Sequence, residues 1–318
     1  VQYARTELRF YRDVLPVMKE RGFHSAPEAY HVEYDFSGWI EEDEHATTPA
    51  DESVDKDSLP DPLEKGGWLV LECLSADTHM QDSPLTVDQA KQCLKTVAEL
   101  HASVWEDKEL LEKAEEELSR SAFNLQMRNP KELAGIENAW EEFCSAFQME
   151  LEANGLWTEQ VRNLGKRMKK AAEYVSRQVT ASPNDKYATV IHGDYKAMNV
   201  MMGTDSTTAP TIILDFATAS TGLGMLDVAM HIHHAVRPED LDKGGEESLV
   251  TYYLETLRRL GCDYPEEVAL RQYKLAVVDY ARFFMARMWK SATPETMNQR
   301  KRNKNVANMN RSVPAAMR

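Results

Sequence analysis

The stretch 192–199, HGDYKAMN, most constrains what this chain can fold into, because it reads H-x-D-x-K-x-x-N. A strand-like run, 211–214, follows it and leads directly into Asp215. The five-residue step from Asp194 to Asn199 lets one loop direct both side chains into one cleft. Because Asp215 comes at the end of a predicted hairpin, the pattern requires a loop and a strand end to meet.

These three side chains match the groups that phosphoryl transfer from ATP requires. One carboxylate orients or deprotonates the attacking hydroxyl, while an amide oxygen and a second carboxylate hold magnesium on the phosphates. We therefore predict that Asp194 is catalytic and that Asn199 and Asp215 bind magnesium. An isolated H-x-D could be a surface turn, and Asp-Phe at a strand end is common. The two motifs in this order are more specific, because each supplies the context that the other requires.

Hydrophobic periodicity predicts the elements around this loop. The pattern over 5–21 indicates an amphipathic helix broken near Pro16, and 28–36 and 68–74 read as strands. The apolar density of 68–74 favours an interior strand. Beyond residue 84 helical patterns predominate, the first with Thr86 as its N-cap. The predicted helices cover 85–105, 107–120, 131–153, 157–180, 224–236, 246–261 and 265–291.

This order of elements predicts an α+β, bilobal fold like that of protein kinases. A partial N-lobe would cover 1–74, with an acidic insertion at 37–66 that is too polar to order itself and is expected to be mobile. A helical C-lobe would cover 75–318 and carry the catalytic loop and Asp215. ATP would lie between the lobes, with its adenine against the hinge at Glu72 and Leu74.

Net charge, hydrophobicity and cysteine spacing limit the classes of protein to which the chain can belong. The 318 residues carry a net charge of −15, which argues against nonspecific nucleic-acid binding. No apolar run approaches the roughly 18 residues of a membrane span. The four cysteines form no C-x-x-C pair and suit a reducing compartment. We expect a cytoplasmic protein without membrane or nucleic-acid partners.

The chain resembles the ecdysteroid-kinase-like (CHK-kinase-like) family of the aminoglycoside/choline phosphotransferase superfamily, a relative of protein kinases. The similarity covers most of the chain and is carried by Glu7, Phe10-Tyr11, 69–72 (LVLE), 100–102 (LHA), 192–199, 214–216 (LDF) and 227–229 (DVA).

The resemblance implies roles for individual residues. Asp194 would be the catalytic carboxylate, and Asn199 and Asp215 would bind magnesium. Lys196 could contact the transferred phosphate, although a lysine in a loop is as often simply solvated. His192 and Asp227 would brace the catalytic loop. A small-molecule hydroxyl is the implied acceptor; a steroid, a choline-like amine, a sugar or an aminoglycoside all stay open.

One departure from the family pattern concerns the N-lobe. Kinases of this kind carry an upstream phosphate-covering hairpin and a strand lysine that pairs with a helix glutamate. Glu7 matches that glutamate, yet only six residues precede it, so we expect a truncated N-lobe. The alternative function is therefore a catalytically impaired kinase fold that binds a ligand or partner.

Two histidine patterns allow further interpretations. His231 and His234 share a helical face with Asp227, which could form a metal site and, as a distant third possibility, a metal-dependent hydrolase. The pattern lacks H-E-x-x-H, so structural or solvated histidines are favoured. His101 lies in an apolar stripe and is predicted to be a hydrogen-bonded core residue. The basic run 300–304 is predicted to be a solvated helix end.

Overall fold

A computed structural model of the chain describes residues 2–37, 65–121, 123–205 and 209–318. Helices make up most of these residues, and the strands are short. The predicted α+β class is therefore confirmed. The predicted acidic insertion lies almost entirely outside the described residues.

The N-terminal part begins with one irregular helix. It consists of α1 (Gln2–Arg9), a π-helical turn (Phe10–Val14) and α2 (Leu15–Glu20). The predicted helix thus starts earlier than residue 5. Its irregularity lies before Pro16, because proline is tolerated in the first turn of a helix, where its missing N–H has no partner to lose.

A two-stranded antiparallel sheet packs on this helix. It pairs β1 (Ala29–Asp35) with β2 (Gly66–Leu71), and Val32 lies opposite Leu69. Leu8 of α1 approaches Gly67 so closely that a Cβ there would lie 2.2 Å from its Cδ1, so a larger residue would require the Leu8 side chain to move. The helix therefore covers one face of the sheet.

Nothing in the described part of the chain covers the other face of the sheet, so the prediction of an interior strand at 68–74 is wrong. Trp68 is 71% exposed and Val70 is also exposed. Leu69 and Leu71 are partly buried against the core. Side chains alternate between faces along a strand, and apolar density alone did not show that one face would stay uncovered.

The C-terminal part is mainly helical. Two small antiparallel sheets interrupt it, one of β3 (His79–Met80), β5 (Val200–Gly203) and β6 (Ile212–Ile213), the other of β4 (Ala188–Ile191) and β7 (Ser220–Leu223). The loop 192–199 joins β4 to β5, and Asp215 follows β6 closely. The two sheets thus bring the two sequence motifs to one place.

The helices of this part follow in chain order. They are α3 (Val87–Ala102), α4 (Lys108–Glu117), α5 (Pro130–Ala134), α6 (Ile136–Ala146), α7 (Gln148–Ala153), α8 (Glu159–Arg162), α9 (Leu164–Val179), α10 (Met225–Ala235), α11 (Pro238–Leu241), α12 (Gly245–Arg259), α13 (Glu266–Phe283), a π-helical turn (Phe284–Met288), α14 (Pro294–Arg300) and α15 (Val313–Met317).

Helix α3 begins where the sequence predicted. The Thr86 side chain accepts from the Gln89 backbone N–H, and the Gln89 side chain accepts from the Thr86 backbone N–H, which forms a capping box. Leu94, Val97 and Leu100 are fully buried on one face of this helix. The capping box therefore determines where α3 begins, and its buried apolar face determines which side of the helix faces the core.

The regions predicted as single helices at 131–153 and 157–180 are divided, the first into three helices and the second into two. The tail after residue 292 is partly structured: Met297 and Met317 pack into a second core cluster with Trp289. Residues 300–304 are exposed, which confirms the predicted solvated helix end. Among the described residues, none of the helices has both the length and the apolar character needed to cross a membrane.

Candidate active site

One buried carboxylate fixes the start of the loop 192–199. Asp227, in the first turn of α10, accepts hydrogen bonds from the backbone N–H of His192 at 2.7 Å and of Gly193 at 2.9 Å. Asp227 is fully buried. Because a carboxylate accepts backbone N–H bonds more strongly than a neutral oxygen does, the two residues before Asp194 are firmly held.

A second contact of Asp227 comes from a distant part of the chain. His101 of α3 lies 3.1 Å from the carboxylate through Nε2, and its Nδ1 lies 2.8 Å from the Tyr253 hydroxyl of α12. The prediction that His101 is a hydrogen-bonded core histidine is confirmed. Its partner is 126 residues away, and no sequence pattern indicated that partner.

The His192 ring joins the loop to the strand end before Asp215. Its Nε2 lies 2.8 Å from the Leu214 carbonyl, and the Asp194 N–H donates to its Nδ1 at 3.2 Å. Nδ1 therefore accepts, which places the ring proton on Nε2, where it donates to Leu214. Gly193 has φ +78°, and a Cβ there would lie 2.3 Å from the Thr218 carbonyl oxygen, so this position requires glycine.

Three side chains of the loop contact one another. The Lys196 ammonium pairs with Asp194 Oδ2. The Asn199 amide donates to the Asp194 backbone carbonyl at 2.9 Å and lies 3.3 Å from Oδ2. Burial raises the pKa of Asp194 above its usual value, and Lys196 opposes that rise. Among the described residues nothing donates to the Asn199 side-chain oxygen.

Asp215 lies beside a second carboxylate. It is exposed and has φ +64°, a left-handed conformation that turns the chain sharply after β6. Glu7 of α1 accepts a backbone hydrogen bond from Phe216, but burial and the neighbouring Asp215 raise the pKa of Glu7 to about 7. The first helix thus reaches the candidate site through Glu7.

An aromatic contact holds the same helix against the site. Phe216 is fully buried and stacks on Phe10, with ring centroids 4.0 Å apart and planes 10° apart. Its ring also meets Tyr11 edge-on at 5.9 Å and lies 5.1 Å from the His192 ring. Phe216 therefore contacts both the first helix and the catalytic loop.

Tyr11 is a site residue that sequence reasoning missed. Its hydroxyl is buried and has no hydrogen-bond partner among the described residues. Burial, and then the charges of Glu7, Asp215 and Glu72, raise its pKa. The tyrosine thus lies among three carboxylates; its place beside Phe10 was visible in the sequence, but its surroundings were not.

The residues predicted to form the hinge, Glu72 and Leu74, come directly after β2. The Glu72 backbone N–H donates to the Glu28 carbonyl at 2.8 Å, and Leu74 is half-buried. The Gln81 side chain donates to the Met198 carbonyl. The segment after the hinge is therefore tied to the catalytic loop.

The oxygen atoms around Asp194 suit a magnesium ion. Mg²⁺ prefers hard oxygen ligands and commonly binds one or two carboxylates together with phosphate oxygens. The free side-chain oxygen of Asn199 and the exposed carboxylate of Asp215 are of that type. No cluster of three or more His, Cys, Asp or Glu able to hold a metal occurs within 2–37, 65–121, 123–205 and 209–318.

Helix α10 also carries His231 and His234, and the His231 ring contacts Tyr195 of the loop 192–199. His231 is fully buried and its ring lies 4.9 Å from that of Tyr195. Neither of its nitrogens reaches a described residue with full hydrogen-bond geometry, although an interaction with the Tyr195 backbone opposes the fall in its pKa. Burial lowers the pKa of His231 to about 4; burial and then His231, Lys196 and Arg311 lower that of His234 to about 3. Both are therefore neutral near pH 7.

Helices packed on small sheets bring the loop carboxylate of Asp194 within electrostatic reach of Asp215, the arrangement that the sequence predicts for a kinase-like protein. The model of the ecdysteroid kinase-like family matches residues 1–262, and the chain belongs to this family. The prediction of the family is thereby confirmed.

Comparison with other proteins adds two findings. No curated protein matches the chain significantly. The crystal structure of an aminoglycoside-3'-phosphotransferase of type VIII is similar, with a TM-score of 0.39 and 15% sequence identity, over 87% of this chain and 81% of that chain.

Proposed function

We propose that this protein transfers the γ-phosphoryl group of ATP, with magnesium, to a hydroxyl group of a small molecule. The observation that carries the proposal is the hydrogen-bonded set of Asp194, Lys196 and Asn199, held by Asp227 and His192 beside Asp215. Family membership supports the kinase class.

Asp194 is proposed as the catalytic residue. As the bond between the γ-phosphorus and the β,γ-bridging oxygen breaks, the acceptor oxygen bonds to that phosphorus and ADP leaves with the bridging oxygen. The acceptor hydroxyl loses its proton to the Asp194 carboxylate. Burial raises the pKa of Asp194, which favours taking up this proton, and phosphoryl transfer needs mainly such positioning.

The other site residues are proposed to hold the nucleotide. Asn199 and Asp215 would bind the magnesium ion, which neutralises phosphate charge when bound. Lys196, already close to Asp194, would contact the transferred phosphate. Glu72 and Leu74 would contact the adenine, and Glu7 would lie near the phosphates.

We also propose a cytoplasmic location. The supporting observation is that all four cysteines are free thiols: Cys93, Cys144 and Cys262 are buried and Cys73 is exposed. Unpaired thiols are typical of reducing compartments, and a kinase needs ATP, which the cytoplasm contains.

The test measures nucleotide binding and turnover separately. Thermal unfolding is recorded with and without MgATP for the wild type, Asp215→Asn, and the exposed control Asp263→Asn. Ligand at a hundredfold excess over its Kd adds about 2.7 kcal/mol of stability. We expect this gain in the wild type and the control and its loss in Asp215→Asn.

Turnover is followed as ADP formation with a set of alcohols. Asp194→Asn is expected to retain MgATP stabilisation but to lose turnover, because it keeps the shape of the site and loses the proton acceptor. Turnover that survives in Asp194→Asn or Asp215→Asn contradicts the assigned roles. Absence of MgATP stabilisation in the wild type contradicts the kinase proposal for this chain.

A further inference from the structure

A cavity of about 250 Å³ lies directly behind the catalytic loop. The backbone of Gly193, the residue before Asp194, forms part of its wall, together with Ile191 of β4 and Met230 of α10. The rest of the wall comes from β7, from the C-terminal end of α9, from α13 and from the described residues 118–121 and 123–124. The cavity therefore borders the backbone one residue before the proposed catalytic Asp194, whose own side chain is not part of the wall.

The charged side chains that line this cavity are already engaged or exposed. Asp279 pairs with Arg282 at 3.0 Å, and both are buried. Asp227 accepts from the catalytic loop, and the Arg120 guanidinium donates to Gln126. Glu115 is exposed. A buried cation needs an unengaged carboxylate to offset its loss of hydration. Among the described lining residues, Glu115 is unengaged but solvent-exposed, so the buried part of the wall offers no such carboxylate.

Several hydroxyl groups of the wall are also engaged within the protein. Ser121 donates to the Gly193 carbonyl at 3.1 Å, Thr180 donates to the Ser176 carbonyl at 2.8 Å, and Thr221 donates to the Leu111 carbonyl. A ligand in the cavity therefore contacts mainly apolar groups. Many of the polar groups that it would contact already form hydrogen bonds within the protein.

Tyr280 of α13 differs from these residues. It is 7% exposed, its ring packs edge-on against Phe123 with centroids 6.2 Å apart, and its hydroxyl makes no hydrogen bond to a described residue. Burial raises its pKa, and the Asp194 charge adds to that rise. The tyrosine thus offers a hydrogen bond inside the cavity and lies within electrostatic reach of Asp194.

We propose that this cavity binds the acceptor, that the acceptor is a compact, uncharged alcohol or phenol, and that the Tyr280 hydroxyl hydrogen-bonds to it. This inference rests on the proposed kinase function. Sites for drug-sized molecules span about 300–1,000 Å³, so this cavity takes a compact molecule or one end of a larger one. Choline-like amines and aminoglycosides are disfavoured, because the buried carboxylates of the wall, Asp227 and Asp279, are already engaged and Glu115 is solvent-exposed.

The binding test needs no nucleotide. The methionine methyl groups are labelled with carbon-13, and the NMR signals of Met230, in the cavity wall, and Met149, 80% exposed, are compared. We expect 2-naphthol to shift the Met230 signal and leave Met149 unchanged, and choline to shift neither. The proposal is overturned if 2-naphthol does not shift the Met230 signal, or if choline shifts it equally.

Two variants test the tyrosine. Tyr280→Phe keeps the ring and removes a hydroxyl with no partner, so it is expected to fold; Tyr174→Phe is the exposed control. Loss of one hydrogen bond is expected to weaken 2-naphthol binding about tenfold in Tyr280→Phe only. Equal affinity in both variants removes Tyr280 from the proposal.

Turnover separates this inference from the kinase proposal. With MgATP bound, as judged by thermal stabilisation, 2-naphthol is expected to accelerate ADP formation. If MgATP does not stabilise the wild type, the kinase proposal fails whatever the NMR shows. If MgATP binds and 2-naphthol occupies the cavity without accelerating ADP formation, the cavity is not the acceptor site.

Discussion

Replacing Asp227 by Asn is the most direct test of how the catalytic loop is held. The carboxylate is fully buried and accepts two backbone N–H bonds, at 2.7 and 2.9 Å, besides its contact with His101 at 3.1 Å. Asparagine has the same shape but carries no charge. The NH₂ group of the asparagine must then face one of the backbone N–H groups that now donate to the carboxylate.

The cost follows from these contacts. A hydrogen bond to a charged group contributes about 1.5–3 kcal/mol, and an unpaired buried donor costs about 1–3 kcal/mol. One lost bond and one unpaired N–H therefore predict a loss of about 3–5 kcal/mol, as for other broken buried charge contacts. That is a large part of the stability of about 5–15 kcal/mol typical of a protein.

The assay is urea unfolding of the wild type, Asp227→Asn and the exposed control Asp263→Asn. Amide hydrogen exchange at His192 and Gly193 adds a local measurement, because those two N–H groups should lose protection first. A variant as stable as the control, with unchanged exchange at both amides, refutes the conclusion that Asp227 holds the loop.

Three further predictions concern stability. Burial lowers the folded-state pKa of His231 and His234 from the ordinary value of 6.5 to about 4 and about 3, so the unfolded chain binds more protons than the folded chain as pH falls below 6.5. The free energy of unfolding measured in urea should therefore decrease from pH 6.5 to 4, by about 3 kcal/mol for His231 alone. It should decrease less in His231→Phe, and an equal decrease in that variant contradicts the prediction. Thr86→Ala should cost about 1 kcal/mol through loss of the capping box, and an unchanged urea midpoint would show that the cap is not stabilising. The pKa of Glu7 is raised to about 7, so its ionisation opposes folding as pH rises from 4.5 to 7. Without magnesium, Glu7→Gln should gain stability relative to the wild type over that range, up to about 3 kcal/mol. A constant difference between the two proteins would show that the pKa of Glu7 is not raised by burial and Asp215.

Features with a local physical cause were predictable from the sequence. The capping box at Thr86 requires only residues 86–89, and α3 begins there. The order of Asp194, Asn199 and Asp215 likewise indicated one cleft, since a loop and a hairpin end must be close in such a pattern. Short-range geometry determines these features.

Features set by distant packing were not predictable. The contacts of His101 with Asp227 and of Tyr280 with Phe123 join residues far apart in the chain. The exposure of Trp68 depends on which faces of the sheet other elements cover, and a single strand carries no such information. The π-helical turns at 10–14 and 284–288 also had no recognisable pattern.

The Phe216 ring has a consequence for communication within the molecule. It lies against Phe10 on one side and His192 on another, directly after Asp215. A displacement of the first helix would therefore move the Phe216 ring or expose it to solvent. A change in the conformation of Asp215 would shift the same ring against the helix. Because binding linkage is reciprocal, a partner that grips the first helix and a ligand held at Asp215 would alter each other's affinity by the same factor.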